Sequence, residues 1–150
     1  MKHSLPLLFT WLLLALSALA EELDITPGSD LWGSLYHPAY EKPSEIPTSN
    51  PLRKELFNQL RAKLEPKAGE PLLFLGSLRA YRNWALFQGA SQDRNGGPIA
   101  YPDLGNSDTV ALWLRTKDGW TLVDYEAGHS DVFYLIWTEA YGMPKAFFNQ

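Results

Sequence analysis

No cysteine occurs among the 150 residues of the chain. Disulfides, thiolate metal sites, cysteine nucleophiles and lipid-modified cysteines are therefore all excluded. Whatever fold the chain adopts must be held by packing and hydrogen bonds alone. A single domain of about this length buries enough of its surface to be stable on that basis.

The N-terminus has the pattern of a secretory signal peptide. Lys2 and His3 precede an apolar run from Leu5 to Leu16, and small residues end in a cleavage site at Ala20. The apolar run is about a dozen residues, shorter than the roughly 20 that span a membrane. We expect cleavage after Ala20, no transmembrane anchor after cleavage, and release into the periplasm or the exterior.

The chain divides into three segments on composition. Residues 1–20 are the predicted signal peptide, 21–49 form a proline-rich N-terminal arm, and 50–150 form one domain. Proline and glycine in the arm leave room for only a short element. We predict one helical turn over Asp30 to Tyr36, with the rest of the arm either extended over the domain or exposed to solvent as a leader.

A helix is predicted from Asn50. Asn50 suits the N-cap and Pro51 the first helical position. Leucines then recur every four residues from Leu52 to Leu64, which is the spacing of one helix face. We expect this helix to end before Pro66.

Four strands are predicted after this helix. Leu72 to Ala80 and Tyr81 to Ala90 form either a hairpin around Arg82-Asn83 or one long bent strand, with a bulge or break at Gly76-Ser77. A second hairpin, Thr109 to Thr116 with Trp120 to Tyr125, turns at Asp118-Gly119. A two-residue loop there places Leu112 and Tyr125 on one face, and Asp124 with Trp113 and Trp120 on the other.

A closing helix completes the fold. Ser130-Asp131 suit its start, while Gly142 and Pro144 mark its end, and we expect Phe147 and Phe148 to pack back on the domain. The sum is an α+β domain with helices over one face of a curved antiparallel sheet of about four strands. We expect a cystatin-like or nuclear-transport-factor-like cone, with an irregular two-layer sandwich as the alternative.

The sequence lacks the residue arrangements that several kinds of binding and catalysis require. The 17 acidic against 13 basic residues repel nucleic acid and anionic lipid. His37 and His129 are too far apart in sequence for a metal pair, and Leu104 stands where a calcium loop opening at Asp93 needs glutamate. The consecutive His129, Ser130 and Asp131 cannot form a catalytic relay among themselves. We therefore predict no catalytic residue, no metal and no cofactor.

Candidate binding residues lie in the aromatic second half of the domain. Asp124 is predicted beside tryptophans, and His129 stands where a helix begins, a position for a pH-sensitive contact. Arg115, together with Arg79, Arg82 and Lys117, is a candidate basic spot for a carboxylate or phosphate group. The candidates are Trp113, Trp120, Asp124, His129, Tyr101 and Arg115.

One stretch resembles a known group of proteins. Trp120 to Val132, followed by Trp137 and Tyr141-Gly142-Met143-Pro144, is similar to the C-terminal part of small exported proteins of uncharacterised function in Gram-negative bacteria. Trp84-Ala85-Leu86 fits the same resemblance. It implies a periplasmic or secreted setting and transfers no catalytic residue.

Three hypotheses for function follow. The first is a non-catalytic module that binds a periplasmic or envelope protein, as an inhibitor or immunity-type partner, through the aromatic sheet face or the Ser91 to Ser107 loop. The second is a carrier or enzyme with a small-ligand pocket between helix and sheet, using Asp124 or His129. The third is a structural role in the cell envelope.

Overall fold

The structure, a computed structural model, describes residues 40–101, 106–128 and 133–148, without the side chains of 133 and 134. The predicted signal peptide, the predicted turn at Asp30 to Tyr36, and the Ser130-Asp131 cap lie outside the described residues.

The described chain is an α+β domain built on one open antiparallel sheet. Strand order in the sheet follows chain order, β1-β2-β3-β4-β5, so every neighbour is a sequence neighbour. The α+β class is confirmed, but the sheet has five strands where about four were expected. The extra strand is β1, which forms within the proline-rich arm. The elements are β1 Ser44–Glu45, α1 Pro51–Ala68, β2 Leu73–Tyr81, β3 Trp84–Gln92, β4 Asp108–Thr116, β5 Gly119–Ala127, α2 Phe133–Tyr141 and a 3-10 turn Lys145–Phe147.

Helix α1 begins as predicted and ends later. The Asn50 side chain accepts the Leu52 N–H at 3.0 Å, which confirms the N-cap. The helix continues past Pro66 to Ala68, although Pro66 lacks the N–H that would donate to the carbonyl four residues earlier. Gly69 ends it with a left-handed φ of 76°, and its N–H donates to the Glu65 carbonyl at 2.8 Å.

The main core lies between α1 and one face of the sheet, which we call the inner face. Leu56, Leu60 and Leu64 of α1 are fully buried there, together with Phe87 and Trp113 of the sheet. The opposite side of the sheet is called the outer face. Side chains alternate between the two faces along each strand, so even-numbered residues of β2 and odd-numbered residues of β3 face α1.

The β2–β3 hairpin turns at Arg82-Asn83 as predicted. Pairing runs unbroken from Tyr81↔Trp84 to Leu73↔Gln92, so the bulge expected at Gly76 is absent. Gly76 instead lies directly opposite Gly89, where the two strands approach closely. A Cβ on either glycine would overlap the neighbouring backbone, which explains why the smallest residue occupies both positions.

The β4–β5 hairpin contains the irregularity that the sequence did not predict. Lys117 and Asp118 form its turn, and the pairing shifts by one between Leu112 and Trp113, leaving Val123 as the extra residue of a bulge. The shift moves Tyr125 to the inner face, opposite Ala111. It also moves Asp124 to the outer face, opposite Leu112. The predicted grouping of Asp124 with Trp113 and Trp120 is therefore wrong.

Helix α2 lies against the outer face. Its Trp137 and Tyr141 side chains both reach Asp124, and Phe147 of the 3-10 turn packs edge-on against Tyr81 at a centroid distance of 6.1 Å. The two described helices therefore lie on opposite faces of the sheet, not on one face as expected. Gly142 ends α2 with a φ of 71°, as predicted.

Candidate functional site

The aromatic side chains that were expected to form a binding face lie in or beside the hydrophobic core. Trp113 is fully buried on the inner face, and its indole Nε1 has no hydrogen-bond partner among the described residues. Phe57, Phe74 and Phe87 form a tilted and edge-on cluster with centroid distances of 5.1, 5.1 and 5.8 Å. Trp120 lies half-buried at the margin of this core. The role of these aromatic side chains is packing under α1, since a partner could reach Trp113 only after α1 had moved away.

Tyr101 anchors the long loop to the sheet. Its hydroxyl donates to Ser91 Oγ at 2.8 Å, and Ser91 Oγ lies 2.7 Å from Thr109 Oγ1. All three side chains are buried. Burial raises the pKa of Tyr101, although its hydrogen bonds with Ser91 and Thr109 and the charge of Lys67 act in the opposite direction. The buried, neutral Tyr101 side chain therefore attaches the loop to the sheet and is not accessible to a partner.

Asp124 joins α2 to the sheet. Its Oδ2 accepts the Trp137 Nε1–H at 3.0 Å and the Tyr141 hydroxyl at 2.9 Å, while Oδ1 accepts the Tyr125 backbone N–H at 2.8 Å. Burial, the hydrogen bond to Asp124 and the charge of that carboxylate raise the pKa of Tyr141. Both carboxylate oxygens therefore have partners. The geometry assigns Asp124 to helix docking.

Replacing Asp124 by asparagine tests this assignment. The amide nitrogen would face the Trp137 and Tyr141 donors, and leaving donors unpaired costs about 2 kcal/mol. We expect the free energy of unfolding, measured by urea denaturation, to fall by about that amount. Glu126→Gln on the same face is the matched control and should change it by less than about 0.5 kcal/mol. Equal midpoints for both variants would contradict the docking role.

The remaining predicted residues are not brought together. Arg115 lies opposite Trp120, and its backbone N–H donates to the Asn83 carbonyl at 2.7 Å. Arg79 lies opposite Leu86 on the outer face, so these two arginines of the predicted basic spot lie on opposite faces. His129 lies outside the described residues.

The edge of β2 is the candidate site that sequence reasoning missed. Because β1 has only two residues, it pairs only with Ala80 and Arg79. In an antiparallel ladder, alternate residues turn their N–H and C=O groups away from the neighbouring strand. Beyond β1, the even-numbered residues of β2 therefore present these groups at an edge that no other strand of the described residues covers.

Hydrogen bonds satisfy part of this edge and the residue that precedes it, Leu72, and the Ile46 backbone N–H donates to the Leu78 carbonyl at 2.7 Å. The Leu78 N–H donates to Glu45 Oε1 at 3.0 Å, and a terminal nitrogen of Arg53 donates to the Gly76 carbonyl at 3.0 Å. At the other end, Arg61 Nε donates to the Leu72 carbonyl at 3.0 Å and the Leu72 N–H donates to Glu65 Oε1 at 3.0 Å. This arrangement protects the edge from pairing at both ends.

Between these two ends the edge is open. No hydrogen bond within the described part of the chain reaches the N–H or C=O of Phe74. The neighbouring side chains point to the outer face, where Leu73 is 44% exposed and Leu75 is 62% exposed. We call Leu73–Leu75 the edge window. It combines an unpaired backbone group with apolar side chains on one side, the features that allow an added strand to bind.

No protein-family model matches the chain, and the searches found neither a characterised protein nor a solved structure that is similar to it.

The described residues contain neither a cluster of metal-ligand side chains nor a helix long and apolar enough to cross a membrane. No group of three or more histidine or acidic side chains in this part of the chain is arranged to hold a metal ion. Among the same residues, no helix has the length and apolar character needed to cross a bilayer. On α2, Leu135 and Ile136 are 55% and 53% exposed.

Proposed function

We propose that this chain is an exported, non-catalytic module that recognises another protein of the periplasm or envelope, as an inhibitor or immunity-type protein does. Recognition occurs when an extended segment of the partner pairs with β2 at the edge window. The export part of the proposal rests on the signal-peptide pattern and on the resemblance to small exported bacterial proteins. We also propose that the sheet curves into the cystatin-like or nuclear-transport-factor-like cone that the sequence predicts.

The observation that carries this proposal is that no hydrogen bond among the described residues reaches the Phe74 N–H or C=O. Strand addition gains affinity from backbone hydrogen bonds and selectivity from alternate side chains. At Phe74, an antiparallel partner residue would accept the N–H and donate to the C=O, forming one hydrogen-bonded pair. On the outer face, the two flanking partner side chains would cover Leu73 and Leu75, burying surface that is now exposed.

The alternatives have less support. A pocket between α1 and the sheet was proposed to use Asp124 or His129, but Asp124 lies on the outer face with both oxygens hydrogen-bonded. Core side chains of α1, β3 and β4 occupy the space where that pocket was expected. No contact within the described residues specifically supports a structural role in the cell envelope.

A short peptide tests the proposal. The probe is acetyl-Gly-Ser-Val-Gln-Val-Ser-Gly-amide, in which the valines would lie opposite the window leucines and glutamine opposite Phe74. We expect its titration to shift the Phe74 amide resonance. Methylation of the glutamine backbone nitrogen should weaken binding about tenfold, because it removes a ladder donor.

Leu75→Ser should lower the affinity of the same peptide about tenfold, because it removes an apolar contact. The free energy of unfolding should change little, since Leu75 is 62% exposed. Leu135→Ser is the matched control, since Leu135 is 55% exposed on α2 and should leave binding unchanged. Binding that is insensitive to both N-methylation and Leu75→Ser would rule out strand addition at the window.

A further inference from the structure

Two arginine side chains of α1 lie at the ends of the edge window, on the inner side of the sheet. Arg53 donates to the Gly76 carbonyl and Arg61 to the Leu72 carbonyl, each at 3.0 Å. These carbonyls are four residues apart, a distance of about 13 Å along a strand. A partner residue opposite Phe74 would therefore lie midway between two guanidinium groups.

The two arginines differ in how their charge is balanced. Arg53 forms an ion pair with Glu45 at 3.4 Å. Arg61 donates to the Leu72 carbonyl and to Asn58 Oδ1, which are neutral acceptors, and it forms no ion pair within the described residues. The nearby Glu65 is engaged with the Leu72 N–H. Among the described residues, Arg61 thus keeps a positive charge without a direct counterion.

Aromatic rings hold both guanidinium groups in place. Arg53 lies 5.0 Å from the Phe57 ring centroid, and Arg61 lies 5.6 Å from that of Phe74. An arginine stacked in this way is partly desolvated and preorganised, which strengthens its interaction with a carboxylate. The inner side of the window is therefore a fixed, positively charged margin.

A second copy of the chain is an unfavourable partner for this positively charged side of the edge window. Pairing of two β2 edges about a two-fold axis at Phe74 would bring Leu72 of one copy opposite Gly76 of the other. Arg61 of each copy would then face Arg53 of its neighbour, and like charges placed across an interface are unfavourable. The charge distribution favours a partner with a different sequence.

We infer, on the basis of the proposed function, that the partner segment has an acidic residue opposite Phe74 and an apolar residue on each side of it. The carboxylate lies on the inner side, between Arg53 and Arg61. The apolar neighbours lie on the outer face, against Leu73 and Leu75. The recognised element is thus an extended apolar-acidic-apolar tripeptide.

Three peptides that differ at one position test this inference. The central glutamine of acetyl-Gly-Ser-Val-Gln-Val-Ser-Gly-amide is replaced by glutamate or by lysine, and all three are titrated into the intact protein. We expect the glutamate peptide to bind about tenfold more tightly than the lysine peptide, with glutamine between them. The preference should shrink in 0.5 M salt, which screens charges beyond about 4 Å.

The variant Arg61→Gln separates charge from folding. It should lower the affinity of the glutamate peptide more than that of the glutamine peptide, because only the glutamate carboxylate loses a charged partner, and Arg53 should keep part of the preference. If all three peptides bind the wild-type protein equally, the acidic preference is refuted and strand addition stands. If none binds, strand addition itself is refuted.

Discussion

Trp113→Ala is expected to lower the free energy of unfolding by about 3–5 kcal/mol, the range for removing a large buried aromatic side chain. Trp113 is fully buried on the inner face of β4, where it packs with the α1 core. Domains of this size have a total stability of about 5–15 kcal/mol, so the variant would lose a large part of it. Urea denaturation followed by circular dichroism measures the change.

Trp120→Ala is the matched control for this experiment. Trp120 lies on the same face but is only half-buried at the core margin, so its removal should cost distinctly less. A Trp113→Ala protein of unchanged stability with impaired partner binding would contradict the core assignment. It would favour the aromatic binding face that the sequence predicts.

Gly89→Ala is expected to destabilise the protein by about 3 kcal/mol, the upper end for overpacking. A Cβ on Gly89 would lie 2.8 Å from the Gly76 Cα and closer still to the Leu75 carbonyl oxygen. Those atoms belong to the backbone of the paired strand, so they cannot rotate away as a side chain can. The substitution should force the two strands apart beside the edge window.

Gly96→Ala separates this contact from the conformational freedom of glycine. Gly96 has a φ of 84°, and a Cβ added there would meet no atom within 4 Å, so alanine should cost only about 1 kcal/mol of left-handed strain. Thermal and urea denaturation of both variants measures the difference. If Gly89→Ala cost no more than Gly96→Ala, the close approach of β2 and β3 would be refuted.

Local signals predicted the fold where neighbouring residues determine it. The Asn50 cap, the hairpin at Arg82-Asn83 and the Gly142 helix end follow from short-range backbone preferences. The predicted helix end at Pro66 is wrong, because the helix continues to Ala68 and stops at Gly69, whose left-handed conformation ends it.

Features that depend on long-range packing were not predictable. The bulge at Val123 reverses the faces of Asp124 and Tyr125, and no residue type marks it in the sequence. Strand β1 is too short to show alternation, so its pairing with β2 could not be foreseen. The edge window depends on where β1 stops and on where Arg53 and Arg61 reach, and both are properties of the assembled domain.

Hydrogen exchange of single amides tests the central claim, that the β2 edge is open at Phe74. The Leu73 and Leu75 amides pair with β3, whereas the Phe74 amide points to the edge without a partner among the described residues. We expect the Phe74 amide to exchange near its unprotected rate in the free protein, while Leu75 is strongly protected. Protection of Phe74 equal to that of Leu75 would show that the edge is closed, and would contradict the account.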